Sequence, residues 1–147
     1  LPASDGTARR PTPAPAVNRP VLPAEGLVLV VDDEEIVRQA AGASLTAAGY
    51  DVEYAVNGAE AVEQVRRLGP ALRLVLLDLT MPVMGGAEAY ARIRELRADL
   101  PVIASSGYGE AETIGQLRGS GVTGFLQKPY TADRLRQAVA DALARRV

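Results

Sequence analysis

The sequence predicts a doubly wound α/β domain, five βα units around one parallel sheet, and three observations carry that prediction. Short apolar runs at Leu27 to Val31, Leu72 to Leu77 and Pro101 to Ala104 are separated by longer segments with helical spacing. Val28 to Val31 and Leu74 to Leu77 are continuously apolar, as strands buried on both faces should be. Asp51-Val52-Glu53-Tyr54 alternates instead, as a more exposed strand does. The second strand therefore belongs at an edge, with the first and third adjacent at the centre. That gives the flavodoxin-like order 2-1-3-4-5, whose ligands bind beyond the carboxyl ends of strands one and three.

Taken in order, residues 1–25 read as a flexible Pro/Ala-rich linker, because Pro2, Pro11, Pro13, Pro15, Pro20 and Pro23 interrupt any apolar period. The folded domain is expected over residues 26–147. Its first helix places Ile36, Val37, Ala40, Ala41, Leu45 and Ala48 on one stripe and stops at Gly49. The second opens at Asn57 with Glu60 three residues on, a capping-box spacing, and ends at Gly69-Pro70. The third groups Ala89, Tyr90, Ile93 and Leu96; the last, opened by Thr131, groups Leu135, Ala138, Val139 and Ala142. A helix between Glu110 and Arg118 is the weakest, with Gly115 inside it and Gly119 after it, and is expected to be the most mobile.

Composition removes several kinds of chemistry. The chain has 147 residues, 48% of them apolar and 23% charged, with a formal net charge of -2, which suits one soluble domain and gives no bulk electrostatic case for nucleic acid. No apolar run approaches membrane-spanning length, so a cytoplasmic setting without membrane contact is expected. Absence of Cys excludes disulfides and thiolate metal sites, and absence of His excludes a phosphohistidine on this polypeptide. The fifteen arginines contrast with a single lysine, Lys128, a compact point charge placed just before Pro129.

At the predicted strand ends stand Asp32-Asp33-Glu34-Glu35 and Asp78. Acids gathered at one switch point repel one another unless a hard divalent cation lies among them, and Mg²⁺ takes such oxygen ligands. Glu34 and Glu35 are read as first-turn acids favoured by the helix dipole. Asp33 and Asp78 are read as functional, since Asp78 closes a strand too apolar to hold an unpaired charge without cost.

These residues, with Val30-Val31-Asp32-Asp33-Glu34, Leu77-Asp78-Leu79-Thr80-Met81-Pro82, Gly86, Ser105-Ser106-Gly107 and Lys128-Pro129 in order, resemble the receiver domains of bacterial two-component response regulators. The resemblance runs from about Gly26 to the C-terminus. It implies that Asp78 is the phosphoacceptor, Asp33 a direct Mg²⁺ (or Mn²⁺) ligand, Asp32 a ligand through water, and Thr80 the source of a backbone carbonyl to the metal. It further implies Ser106 as the switch hydroxyl, Phe125 as the switch aromatic, and Lys128 as the phosphate-binding lysine with a cis peptide to Pro129. Alignment through Pro101 and Gly107 selects Ser106 over Ser105. Thr80, Gly107 and Tyr108 fall where members of the family tune access to the phosphoryl group.

The resemblance also implies a histidine kinase dimerisation domain or a histidine phosphotransfer protein as phosphoryl partner, and it admits a homodimer. In such a domain the receiver catalyses its own aspartyl phosphorylation and dephosphorylation. Its output would be a face formed by the segment 110–118, the last strand and the last helix. The start at Leu1, the linker and the segments Leu77 to Pro82 and Phe125 to Tyr130 look most like the C-terminal receiver of a hybrid sensor histidine kinase. A free-standing regulator and a phosphorylation-independent interaction module are the alternatives. Gly119-Ser120-Gly121-Val122-Thr123-Gly124 fits a dinucleotide fingerprint in letters only, since it follows a helix and enters a strand. A haloacid-dehalogenase phosphatase is disfavoured by Thr80, where that family needs a second Asp.

Overall fold

The computed structural model describes residues 26–79, 86–107 and 122–144. The chain runs β1 (Leu27–Val31), α1 (Glu35–Ala47), β2 (Asp51–Ala55), α2 (Gly58–Leu68), a single 3₁₀ turn (Gly69–Ala71), β3 (Leu72–Asp78), α3 (Gly86–Leu96), β4 (Val102–Ser106), β5 (Gly124–Gln127) and α4 (Ala132–Ala144). All strand pairings are parallel and the order is β2-β1-β3-β4-β5, as the apolar patterning predicts. The linker over residues 1–25, the segment Glu110 to Arg118, Thr80, Tyr108 and the start of the dinucleotide-like run lie outside the described residues.

Strand alternation divides the core in two. Leu29, Val31, Val75, Leu77, Val102 and Ala104 face Ala61, Val65, Ala89, Tyr90 and Ile93 of α2 and α3. Val28, Val30, Leu74, Leu76, Ile103 and Leu126 face Ala41, Leu45, Leu135, Val139 and Ala142 of α1 and α4. A sheet covered on both sides explains why β1 and β3 are apolar at nearly every position. The edge strand β2 is only partly covered, and Tyr54 remains exposed there.

Local signals act much as expected. The Asn57 side chain accepts from the Glu60 N–H at 2.8 Å, while the Glu60 carboxylate accepts from the Val56 N–H at 3.0 Å, one residue earlier than a standard capping box places it. Thr131 Oγ1 accepts from the Arg134 N–H and opens α4. Gly49, at φ +106°, follows the end of α1 in a conformation that L side chains rarely adopt.

Two helix stripes and one strand boundary need correction. Ile36 is 80% exposed and Ala40 is also exposed, while the buried face of α1 is Ala41, Gly42 and Leu45. At 3.6 residues per turn Ile36 lies roughly 140° around the helix from Ala41, so the single predicted stripe merges two different faces. Leu96, the last residue of α3, is 39% exposed rather than part of the core. β4 begins at Val102 and continues through Ser105 and Ser106, because both serines keep pairing partners: Asp78 with Ser105 and Gln127 with Ser106.

Candidate phosphoacceptor site

Each acidic side chain of the site hangs from a strand end. β1 stops at Val31, and the next residue, Asp32, keeps one more ladder bond, from its N–H to the Ala55 carbonyl at 3.1 Å. Asp32 Oδ1 then accepts from the Glu34 N–H at 2.9 Å, which folds the chain into α1. Asp78 is the last residue of β3 and is fully buried. Its backbone position depends on Gly86, the first residue of α3. A Cβ there would lie 2.4 Å from Leu79 Cα and 2.8 Å from the Asp78 carbonyl oxygen, so only glycine lets the helix start this close.

Asp32, Asp33 and Asp78 converge, with carboxylate oxygens within 4.8 Å of one another; Asp32 and Asp78 are buried and Asp33 is exposed. Three hard oxygen donors so close fit a small divalent cation. Lys128 enters from the far side, after β5, with its side chain 16% exposed. Its Nζ lies 2.8 Å from Asp32 Oδ2, 3.3 Å from Asp78 Oδ2 and 3.6 Å from Glu34 Oε1. Glu34 is thus more than a first-turn acid, since it also faces the lysine. The Lys128–Pro129 peptide is cis, and the Lys128 N–H donates to the Ser106 carbonyl at 2.8 Å.

Burial raises the Asp32 carboxyl above its ordinary value, outweighing the Lys128 and Glu34 N–H hydrogen bonds that oppose it, and the Asp78 charge adds to the rise. For Lys128, burial works against the ammonium, yet bonding to Asp32 and the charges of Asp78 and Asp32 leave it raised overall. Tyr130 is pushed up to about 12 by burial, with the Asp32 charge next in effect.

Ser106 is buried, and among the described residues its Oγ has no hydrogen-bond partner. A buried hydroxyl in that state calls for an explanation. Ser105 is equally buried and stands level with Asp78 in the β3–β4 register, its carbonyl accepting from the Leu79 N–H at 2.9 Å. Phe125 on β5 is half-buried and packs against the cluster shared by α2 and α3. Gly107 is half-buried, with open space where a Cβ would stand. Two residues stand out only in three dimensions. Tyr130 walls the pocket beside Lys128, and Arg38 reaches back from α1 to the Asp32 carbonyl at 2.8 Å.

Residues 28–140 match the family model of the response regulator receiver domain. The chain belongs to that family. The receiver is 41% identical over 110 residues to the two-component response regulator ORR41 of Oryza sativa subsp. japonica, covering 74% of this chain and 87% of that one. It is 33% identical to a chemotaxis protein CheY of Treponema pallidum, covering 79% of this chain and 81% of that one. It is 34% identical to the sensor kinase CckA of Brucella abortus over 83% of this chain, but spans only 13% of that longer protein. Among solved structures, a response regulator receiver domain protein from Clostridium thermocellum superposes with a TM-score of 0.78 at 26% identity, over 82% of this chain and 95% of that one. Among the described residues, no helix of the receiver is long and apolar enough to cross a membrane.

Proposed function

We propose that this receiver takes a phosphoryl group from a phosphohistidine donor onto Asp78, and that the modification switches a partner-binding face. The observation that carries the reading is the placement of Lys128 Nζ between two buried carboxylates, Asp32 and Asp78, in a pocket where a third acid converges. A lysine so placed can leave its carboxylate partners for a phosphoryl oxygen without leaving the pocket.

In the transfer, an Asp78 carboxylate oxygen forms a bond to phosphorus as the donor's N–P bond breaks. The electron pair of that bond stays on the imidazole nitrogen, and Asp78 becomes an acyl phosphate. Asp33, Asp78, Asp32 through water, and the Thr80 carbonyl would hold Mg²⁺ or Mn²⁺, which when bound supplies positive charge to the phosphoryl oxygens. Lys128 meets one phosphoryl oxygen, and the Ser106 hydroxyl, which has no partner among the described residues, donates to another. Displacement of Ser106 toward the phosphoryl group opens space for Phe125 to turn, coupling the pocket to the output face. Thr80, Gly107 and Tyr108 set how easily water reaches the acyl phosphate.

The donor is a histidine kinase dimerisation domain or a phosphotransfer protein, because the chain contains no His. A hollow of about 480 Å³ beside Lys128, lined largely by Ile36, Val37, Ala40, Pro129 and Tyr130, offers that donor an apolar seat at the rim of the site. A donor whose phosphohistidine derives from ATP would place the domain on the cytoplasmic side.

Incubation with Mg²⁺ and acetyl phosphate, or with beryllofluoride, tests the reading. Labelling of the wild type and none of Asp78→Asn is expected; persistent labelling of the variant would assign another acceptor, and no labelling of the wild type would leave an interaction module. Two settings remain, each with its own support. Similarity to CckA favours a hybrid sensor kinase with residues 1–25 as a linker, whereas the near-complete coverage of ORR41 favours a free-standing regulator. The parent sequence decides, by the presence or absence of dimerisation-histidine and ATP-binding domains upstream.

A further inference from the structure

Arg38 belongs to α1, yet its guanidinium turns back past the start of the helix to donate from Nη1 to the Asp32 carbonyl at 2.8 Å. That carbonyl lies beyond the last residue of β1, where the parallel ladder ends. A main-chain oxygen that leaves a ladder in a buried turn needs another donor. Asp32 is thereby held at four atoms: its N–H by Ala55, its carbonyl by Arg38, Oδ1 by the Glu34 N–H and Oδ2 by Lys128. Two of these four restraints, those from Arg38 and Glu34, come from the first residues of α1 or the turn before it. They fix how the Asp32-Asp33 turn is aimed.

We propose that Arg38 is a positioning residue for the divalent cation, acting through the Asp32 main chain to hold the Asp32 and Asp33 carboxylates toward Asp78. This rests on reading the acidic pocket as a cation site. The charge of Arg38 argues the other way, since a guanidinium near a cation site repels the cation. Positioning and charge therefore predict opposite signs when Arg38 is removed, which makes the inference decidable.

The test is Mn²⁺ binding to the whole chain, followed by the loss of the free-ion spin-resonance signal, with no phosphoryl donor present. Arg38→Met, which lacks both donor and charge, should weaken Mn²⁺ binding about 10-fold, the low end of what loss of a ligand-orienting partner costs. Arg38→Lys, which restores a donor, should recover much of it. With acetyl phosphate, the metal concentration for half-maximal labelling should rise while labelling at saturating metal stays near that of the wild type. Binding by Arg38→Met as tight as or tighter than the wild type would overturn the proposal, as would equal weakening in Arg38→Lys and Arg38→Met. If Arg38→Met fails to fold by circular dichroism, Arg38→Leu, which also lacks donor and charge, carries the same comparison. Failure of the underlying reading looks different: the wild type itself would bind no Mn²⁺, or Asp33→Asn and Asp78→Asn would bind it undiminished.

Discussion

Lys128 Nζ lies nearer to Asp32, at 2.8 Å, than to Asp78, at 3.3 Å. The lysine thus rests on the carboxylate that is not the proposed acceptor, and Asp78 keeps the longer and weaker contact. Moving the ammonium onto a phosphoryl group on Asp78 then exchanges the Asp32 pairing for a new one within the same pocket.

This pairing changes what Lys128→Ala should do. In the structure the lysine neutralises two buried acids, Asp32 and Asp78. Removing one partner of a buried pair costs about 3 kcal/mol, so Lys128→Ala should unfold at lower denaturant concentration without divalent cation. Mg²⁺ should restore much of the loss, and phosphorylation should no longer reach the output face. Unchanged stability in chelator would show that the contacts are electrostatically idle.

Asp32→Asn should act in the opposite direction. Burial, seconded by the Asp78 charge, outweighs the Lys128 pairing and raises the Asp32 carboxyl, so its negative charge at neutral pH opposes folding. The variant is expected to melt a few degrees higher than the wild type in chelator and to gain less from added Mg²⁺. A lower melting temperature in chelator would show that the lysine pairing dominates.

Tyr130 supplies a pH prediction. Its hydroxyl is pushed up from 10.0 to about 12, with burial as the main cause. Below pH 10 both folded and unfolded chains hold this proton, so no slope arises there. Between 10 and about 12 the unfolded chain has lost it and the folded chain has not. Fewer protons on the unfolded state mean that stability falls as pH rises through this window. Phenolate absorbance should show a tyrosine titrating near the top of that range, absent in Tyr130→Phe; an unchanged titration curve in the variant would refute the assignment.

The two serines separate by substitution. Ser106→Ala removes a buried hydroxyl with no partner among the described residues, so the resting fold should be unharmed while the response to phosphorylation is lost. Ser105→Ala should leave that response intact. The comparison is read from amide chemical-shift changes on beryllofluoride binding, and the reverse pattern would make Ser105 the switch.

Much of this was legible in the linear chain because burial on both faces leaves a strand no freedom of composition. The apolar runs of β1 and β3, the alternation of β2 and the acids after Val31 and Leu77 therefore announced the sheet order and the switch point. Helix α1 misled because Ile36, Val37 and Ala40 are apolar for a surface hollow, and periodicity cannot tell a core face from an apolar rim. The reach of Arg38 to a carbonyl six residues back, and the Gly86 approach to the end of β3, leave no periodic trace.

Residue order, read together with the receiver resemblance, thus specified which groups meet: Asp32, Asp33, Asp78 and Lys128, gathered because parallel strands all present their carboxyl ends to one rim. Tertiary structure alone decided how they meet. Burial raises Asp32, proximity gives Lys128 to Asp32 before Asp78, and packing leaves the Ser106 hydroxyl without a described partner. Those outcomes depend on ångström-scale distances and on exclusion of water, and neither is encoded at any single position in the sequence.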